Sequence, residues 1–558
     1  MTFNPRRYVA PSRVDLPDRK WPNRVLDKAP IWCSVDLRDG NQALPDPMGH
    51  ERKRRLLELL VRVGFREIEL GFPAASQTDF DFIRWVLDTG ALPAGVTPQV
   101  ITQARDALID RTVESIAGAP RAIVHLYNST SELQRRVVFG MSRGEVIELA
   151  VRATERIRAA CERLSGTDVT LQYSPESFTG TELDFALEIS EAVANAWGAT
   201  PSRKLILNLP STVEMTTPNV FADRIEWFDR NLSQRDRVVL SVHTHNDRGT
   251  GVASAELSQL AGAERVEGTL LGNGERSGNV DIVTLAMNLY SHGVDPGLRF
   301  EDLPELVRVV EQTTRLPVHP RHPYAGELVF VAFSGSHQDA IHKGLRHMTQ
   351  ESPRWEVPYL PIDPGDVGRA YEPVIRINSQ SGKSGLAHVL ERDHGYRVPR
   401  ALAVELSSTV QALTDARGTE FTPEEVREVF EAEYVGGAAP FALVSAAVER
   451  RGGECAVRAE IGTPAGMRSV AALSEGPIAA FSRALGTITE PFDVLEYSEH
   501  ARGTGASAEA VAYVSVTGAA GAAWHGVGCD RDVVLAAFRA LVAALNRREK
   551  SERERRAG

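Results

Sequence analysis

Two histidines two positions apart, His243 and His245 in SVHTHND, and an acidic residue about two hundred positions earlier, Asp39 in DLRDGNQ, are the side chains of this sequence best suited to hold a divalent cation. If SVHTH is a β-strand, His243 and His245 point to the same side, because alternate side chains share a face. Two imidazoles and a carboxylate with open positions left over suit a metal that must also bind substrate. Asn279 offers a neutral oxygen as a fourth ligand. An isolated H-x-H is as readily an accident of surface or core, so the metal reading rests on Asp39 and Asn279 arriving with it. The ligand types do not choose between Zn, Mn, Mg and Fe. Arg38, beside Asp39, can bind an oxyanion or stabilise one that develops, or it can form a salt bridge with Glu69 or Asp36. The glycine-rich GNGERSGN (Gly272 to Asn279) can bring backbone close to a bulky ligand or simply turn tightly.

These residues need elements to position them. Eight short runs rich in Val, Ile, Leu and aromatics recur between Ile31 and Gly293: IWCSVDL, EIELGF, TPQVIT, RAIVHLY, DVTLQYS, KLILNLP, RVVLSVHTH and RVEGTLLG. Between them lie stretches such as HERKRRLLELLVRVG and GEVIELAVRATERIRAACERL, whose apolar residues recur every three or four positions, the helical period. This alternation predicts βαβ units and a parallel sheet. Eight units in roughly 260 residues match a (β/α)8 TIM barrel. An open doubly wound sheet would want G-x-G-x-x-G after its first strand, and DLRDGNQ is not that. In such barrels chemistry sits at the carboxyl ends of the strands. Six of the eight runs lead into metal-capable or acid–base residues: DLRDGNQ, His125, Ser174-Pro175-Glu176, Asn208 to Thr212, His243 to Asp247, and GNGERSGN. Singly, each is a turn former or helix N-cap as readily as a functional group. Together they predict that Asp39, His243 and His245 meet, since strands 1 and 8 are neighbours by closure and strand 7 is one further round.

With 558 residues the chain is too long for one core. We read residues 1–30 as an N-terminal extension and 31–300 as the barrel. Residues 301–425 form a linker with small helical subdomains, including EDLPELVRVVEQTT, HQDAIHKGLRHM and the turn-rich PYLPIDPGDVGRAYEP. Residues 426–558 form an α+β domain. There, CAVRAEIG with a second apolar run and GPIAAFSRALG, and later AVAYVSVTG, AAWHGVG and DVVLAAFRALVAALN, give two strand–strand–helix units. They are a duplication or two Ala-rich helices alike in composition. The charged tail REKSERERRAG reads as a frayed end. The net charge of −11, with both signs interspersed, lacks the basic face of a nucleic-acid binder and leaves an anionic substrate open. No apolar core of a secretory signal and no run of eighteen apolar residues is present, so no membrane span is expected. Four scattered cysteines without C-x-x-C fit the cytoplasm.

DLRDGNQAL, GFPAASQTDFDF, SPESFTGTE, NLPSTVE, SVHTHNDRGTG, LGNGERSGNVD and GSHQDAIHKG together resemble the 2-isopropylmalate synthases. They share the wider pattern of the condensing and lyase barrels, which includes homocitrate synthase, citramalate synthase and hydroxymethylglutaryl-CoA lyase. The N-terminal extension, YLPIDPGDVGRAYEPVIRINSQSGK and the C-terminal domain resemble the long form, which carries a leucine-binding regulatory domain. The resemblance implies condensation of acetyl-CoA with 2-oxo-3-methylbutanoate, then hydrolysis to 2-isopropylmalate and CoA. It implies a divalent metal (Mg, Mn or Zn) at Asp39, His243, His245 and Asn279, with Arg38 on the developing alkoxide. His125 and Thr212 would hydrogen-bond the oxo acid, Ser174 would shape its pocket, and Asn273, Gly274, Glu275 and Arg276 would face acetyl-CoA. Glu176 or His337 would take the methyl proton, and Tyr371 either reaches the site or packs as an aromatic. A homodimer with domain-exchanged contacts and leucine as effector follow from the same likeness. Leu70, Phe72, Leu171, Tyr173 and Asn208 are expected to set the choice of oxo acid. Homocitrate and citramalate synthases would keep Arg38, Asp39, His243 and His245. A lyase has less use for a regulatory domain. A metal-binding or amino-acid-sensing protein without catalysis has no need of the intact set.

Overall fold

Apolar residues in the short runs have to be covered on the side away from the barrel axis, and helices with apolar stripes cover them. The computed structural model describes residues 13–348, 354–371, 383–417, 421–436, 440–503, 505, 508–518 and 522–557. It contains a closed parallel barrel of β1 (Ile31–Ser34), β2 (Glu67–Gly71), β3 (Thr97–Gln103), β4 (Arg121–Ser129), β5 (Asp168–Glu176), β6 (Leu205–Ser211), β7 (Val238–Thr244) and β8 (Arg265–Gly268). Closure is made by β1 on β8, with Ile31 opposite Arg265. The helices that follow the strands are α1 (His50–Val63), α2 (Gln77–Asp88), α3 (Asp106–Ser115), the short α4 (Glu132–Gln134) with α5 (Arg143–Cys161), α6 (Leu183–Trp197), α7 (Pro218–Asn231), α8 (Gly251–Ala261) and α9 (Ile282–Ser291). A tenth, α10 (Leu303–Thr314), packs on α1. The eight strands fall on the eight predicted runs.

Strand alternation sorts the barrel residues into two sets. Leu70, Leu171, Leu207, Leu209, Leu240 and Val242 are fully buried on the outer, helix-facing side. The alternate positions Glu69, Gln99, His125, Gln172, Asn208, His243, Arg265 and Glu267 are also buried, and they bond one another across the interior. Such barrels usually fill with branched apolar residues. This one fills with paired charge: Arg265 donates from Nη1 to Glu267 Oε1 at 2.7 Å and from Nε to Glu67 Oε2 at 2.5 Å. Ahead of β1, Arg19 makes two 2.8 Å bonds to Asp223, and the backbone amides of Lys20 and Trp21 donate to Glu226, both acids on α7.

The described residues of Met1–Phe330 with Ile362–Ala370 form one compact unit, and those of Val331–Pro361 with Tyr371–Gly558 a second. The second holds α11 (Gly335–His347), α12 (Lys383–His394), α13 (Arg400–Arg417) and α14 (Pro423–Tyr434). After these come β9 (Ala442–Arg451), β10 (Glu454–Thr463), β11 (Gly466–Ser474) and α15 (Pro477–Leu485), then β12 (Val494–Arg502), β13 (Glu509–Thr517), β14 (Ala523–Asp530) and α16 (Val533–Ala557). Each C-terminal repeat therefore has three strands before its helix, not the expected two. The added strands, β9 and β12, are edges of their sheets and mostly exposed. Edge strands need only one ladder and no buried face, so VLEYSEHAR carries little apolar signal. The tail also departs from expectation: α16 runs to Ala557, because Glu, Lys, Arg and Ala favour helix without tertiary support. Among the described residues no helix is long and apolar enough to cross a membrane.

Strand β13 is buried on both faces. Ala512, Val514 and Val516 join Ala536, Ala540 and Leu541 of α16 in one cluster, while Val511 and Tyr513 join Leu402, Leu406, Val426 and Phe430 in another. Helix α16 lies so close to β14 that a Cβ on Gly526 would sit 2.2 Å from the Ala544 nitrogen, and one on Gly528 2.1 Å from the Ala536 carbonyl. Gly528→Ala is therefore expected to push α16 off the sheet and lower stability by about 1–3 kcal/mol. A urea melt followed by circular dichroism reads this, and an unchanged midpoint would refute the close packing.

Candidate active site

Asp39 stands in a single π-helical turn, Asp36–Gly40, just after β1. His243 is the penultimate residue of β7 and His245 lies just past its end, while Asn279 closes the loop after β8 and bridges to His245. Asp39, His243 and His245 converge, with one ligand atom from each lying within 4.8 Å of the others, and all three are buried. Asp39 Oδ2 is 3.3 Å from His243 Nε2 and 3.6 Å from His245 Nε2. That oxygen is buried and has no hydrogen-bond partner, while Oδ1 accepts from Arg38 Nη1 at 2.6 Å. Asn279 Oδ1 lies 2.7 Å from His243 Nε2.

The tautomers follow from the partners. His243 Nδ1 faces Glu267 Oε2 at 3.0 Å and His245 Nδ1 faces the Ser211 carbonyl at 3.2 Å, both acceptors, so each Nδ1 donates and each Nε2 turns to the centre. Burial opposes a charge on His243, but Asp39 and Glu267 outweigh it and push its pKa up to about 10; the positive charge they favour is a proton on Nε2 when no cation is bound, and a divalent cation would take that proton's place. Burial likewise opposes charge on Asp39, yet Arg38 and the two imidazoles hold its carboxyl well below the usual range. Two nitrogens, one orphaned anionic oxygen and one amide oxygen around a single point fit a divalent cation. Gly274 makes room for this: a Cβ there would sit 2.2 Å from Asn279 Nδ2.

A cavity of about 290 Å³ opens over this group. Its wall includes Arg38, Gln42, Ile101, His125, Tyr127, Ser174, Glu176, Asn208, Pro210, Thr212, Glu275 and Arg276. Arg38 donates from Nε to Glu69 Oε2 at 2.5 Å, so the suspected salt bridge and the cavity position belong to one residue. His125, in the middle of β4 rather than at its end, contacts Glu69 Oε1 at 2.8 Å through Nδ1 and Ser174 Oγ at 2.7 Å through Nε2. The Ser129 hydroxyl donates to Glu176 Oε2. Thr212 Oγ1 accepts from the Ser177 amide at 2.9 Å, leaving its hydroxyl proton for a ligand. Arg276 pairs with Asp247 at 2.6 Å, Gln42 donates to Glu275 at 3.2 Å, and Asn273 donates to the Gly40 carbonyl at 3.0 Å.

Four expected cavity residues are not in its wall. Leu70, Leu171 and Tyr173 have the wrong parity and face the helices, and Phe72 lies in the loop after β2. Asn208 is in the wall as expected. Ile101, Tyr127 and Pro210 take the apolar role, and Arg265, Glu267 and Glu69 the buried supporting one. Their signal was legible: Glu67-x-Glu69 and Arg265-x-Glu267 repeat the H-x-H spacing inside apolar runs. His337 and Tyr371 belong to the second unit. There the His337 ring stacks on Tyr359 with centroids 4.0 Å apart, and the Tyr371 hydroxyl is buried without a partner.

A closed (β/α)8 barrel with this donor set at its carboxyl mouth defines an HMGL-like barrel enzyme, and the HMGL-like family model matches residues 29–310. Further matches are the alpha-isopropylmalate synthase post-catalytic domain at 327–391 and the LeuA allosteric (dimerisation) domain at 420–548. A 2-isopropylmalate synthase of Rhodospirillum rubrum is 52% identical, covering 98% of this chain and 99% of its own. One from a Parafrankia species is 54% identical over 96% of each. A hydroxymethylglutaryl-CoA lyase from Pseudomonas aeruginosa has a TM-score of 0.43 at 19% identity, over 53% of this chain and 97% of its own. The chain belongs to the 2-isopropylmalate synthase family, whose members are metal-dependent acyltransferases converting acyl to alkyl on transfer.

His243→Ala and His245→Ala should each weaken divalent-cation binding by at least ~10²-fold, since loss of a mere supporting partner already costs 10–100-fold. Turnover should vanish while the metal-free melting curve stays near wild type. Calorimetric titration that finds wild-type affinity in either variant would remove that histidine from the site.

Proposed function

We propose that this enzyme condenses acetyl-CoA with 2-oxo-3-methylbutanoate and, with one water, releases 2-isopropylmalate and CoA, the first committed step of leucine biosynthesis. The observation that carries this reading is the orphaned, buried Asp39 Oδ2 facing two imidazole nitrogens beneath a small cavity. A divalent cation such as Mg, Mn or Zn, held by Asp39, His243, His245 and Asn279, would supply Lewis acidity toward the oxo-acid carbonyl.

The protein groups do the rest. Arg38, with Nε and Nη1 tied to Glu69 and Asp39, is held rigidly to stabilise the oxygen that becomes negative as the new carbon–carbon bond forms. The Thr212 hydroxyl donates to the oxo-acid carboxylate, and His125 with Ser174 forms the opposite wall. Ile101, the Tyr127 ring and Pro210 offer apolar surface to an isopropyl group. A distal carboxylate, as in homocitrate synthesis, would need a cationic partner, and Arg276 is already paired with Asp247. Glu176 is the cavity carboxylate available to take the methyl proton of acetyl-CoA, which enters past Asn273, Gly274, Glu275 and Arg276. His337 is the other candidate base, presented to the active site of a partner subunit in a domain-exchanged homodimer, and Tyr371 of the linker reaches toward the site to bind substrate. The LeuA domain binds leucine as feedback inhibitor, and the four free cysteines suit the cytoplasm.

Thiol release from acetyl-CoA should be fastest with 2-oxo-3-methylbutanoate and should fall when leucine is added. A higher rate with glyoxylate, pyruvate or 2-oxoglutarate would overturn the substrate assignment. Arg38→Ala and Glu176→Gln should each lower kcat by about 10²–10⁴-fold. Mixing refolded His243→Ala and His337→Ala subunits should restore activity that neither has alone; no recovery would argue against exchange.

A further inference from the structure

The barrel interior below the cavity is a hydrogen-bond network, and at its centre are two residues that touch neither cavity nor solvent. Glu267 is fully buried and accepts five hydrogen bonds. Three fall on Oε1: from Arg265 Nη1 at 2.7 Å, Gln172 Nε2 at 2.7 Å and Gln99 Nε2 at 3.1 Å. Two fall on Oε2: from Asn208 Nδ2 at 3.2 Å and His243 Nδ1 at 3.0 Å. Gln99, also fully buried, donates from the same Nε2 to Glu69 Oε1 at 2.9 Å, and its Oε1 accepts from Arg265 Nη2 at 2.9 Å. Glu69 in turn accepts from Arg38 and His125. One amide thus joins the carboxylate behind Arg38 to the carboxylate behind His243.

We propose that Glu267 is the positioning residue that fixes His243 as a cation ligand, and that Gln99 holds Glu267 and Glu69 in register so that His243 and Arg38 are set together. The inference rests on the cation site proposed above. Its chemistry is tautomeric. An imidazole ligates through Nε2 only if the ring proton is on Nδ1, and the acceptor facing Nδ1 decides that. Glu267 can accept there because its other oxygen already satisfies three donors. Glu267→Gln keeps size and shape but has one oxygen. Three donors at the Oε1 position keep that oxygen there, so the amide NH2 turns to His243. It then needs Nδ1 as acceptor, and the proton is driven to Nε2, where the cation should bind. Gln99→Met removes the bridge without touching the imidazole or the cavity.

Titration of the metal-free full-length protein with Zn²⁺ or Mn²⁺ tests this, alongside the melting curve of each metal-free variant. Glu267→Gln should raise the cation Kd by about 10–100-fold, the range typical of partners behind a ligand. Excess metal should then recover most of the kcat, a rescue that a misfolded interior would not allow. Gln99→Met should raise Kd by a smaller factor. Wild-type Kd in Glu267→Gln overturns the proposal. If that variant does not fold, wild-type Kd in Gln99→Met overturns it instead. His243→Ala is the reference: wild-type affinity there would sink the cation site itself, whereas loss there with no change in Glu267→Gln would sink only this inference.

Discussion

Ionised groups inside this barrel have to be paired, because an isolated buried carboxylate or guanidinium lies several kcal/mol above the same group in water. The interior meets this constraint with Arg265 between Glu67 and Glu267, and Arg38 between Glu69 and Asp39. Glutamines fill the remaining acceptor positions. Of the ionisable groups, the pairing leaves over one oxygen of Asp39 and two imidazole nitrogens, all facing the cavity, and these define the site. A cation held there would give those groups the partner that they lack.

The loops at the carboxyl mouth extend the same logic outward. Each tethers a neighbour: Asn273 to Gly40 across the closure of β1 and β8, Arg276 to Asp247 and the Thr212 carbonyl, and Glu214 to Arg248 and Thr250. Asn273 and Arg276, which the sequence offers as acetyl-CoA contacts, tie loops together. Arg276 spends its charge on Asp247, which that guanidinium holds below the usual carboxylate range. The cavity is left with Arg38 as the cation aimed at an oxyanion. This balance accords with a small oxo acid carrying an apolar tail.

The second unit is organised by apolar packing instead. Its two three-strand repeats each close with a helix, and β13 is covered on both sides. Midway along α16, Arg547 donates to Glu405 of α13 and Glu433 of α14 and lies 4.1 Å from the Tyr434 ring centroid. The helical pair and the C-terminal sheet are therefore joined by charge as well as by the Leu402, Leu406 and Phe430 cluster. A domain meant to transmit the state of its sheet would need such a joint.

The sequence by itself determined the barrel, the order of its strands and the convergence of Asp39, His243 and His245. Apolar runs at period two and helices at period 3.6 leave few other ways to bury that surface, and His243-x-His245 fixes its own facing by strand geometry. It also determined the family, through motifs most of which follow barrel strands, with GSHQDAIHKG on α11 of the second unit. Tertiary structure alone decided parity and partnership. Leu171 and Tyr173 look like pocket residues until the register turns them to the helices, and Ile101 and Tyr127 look like core until it turns them inward. That Glu267 stands behind His243, or that one amide spans Glu69 and Glu267, depends on distances of about 3 Å between residues up to 168 positions apart. No local pattern encodes those distances, because they are set by the closure of the sheet.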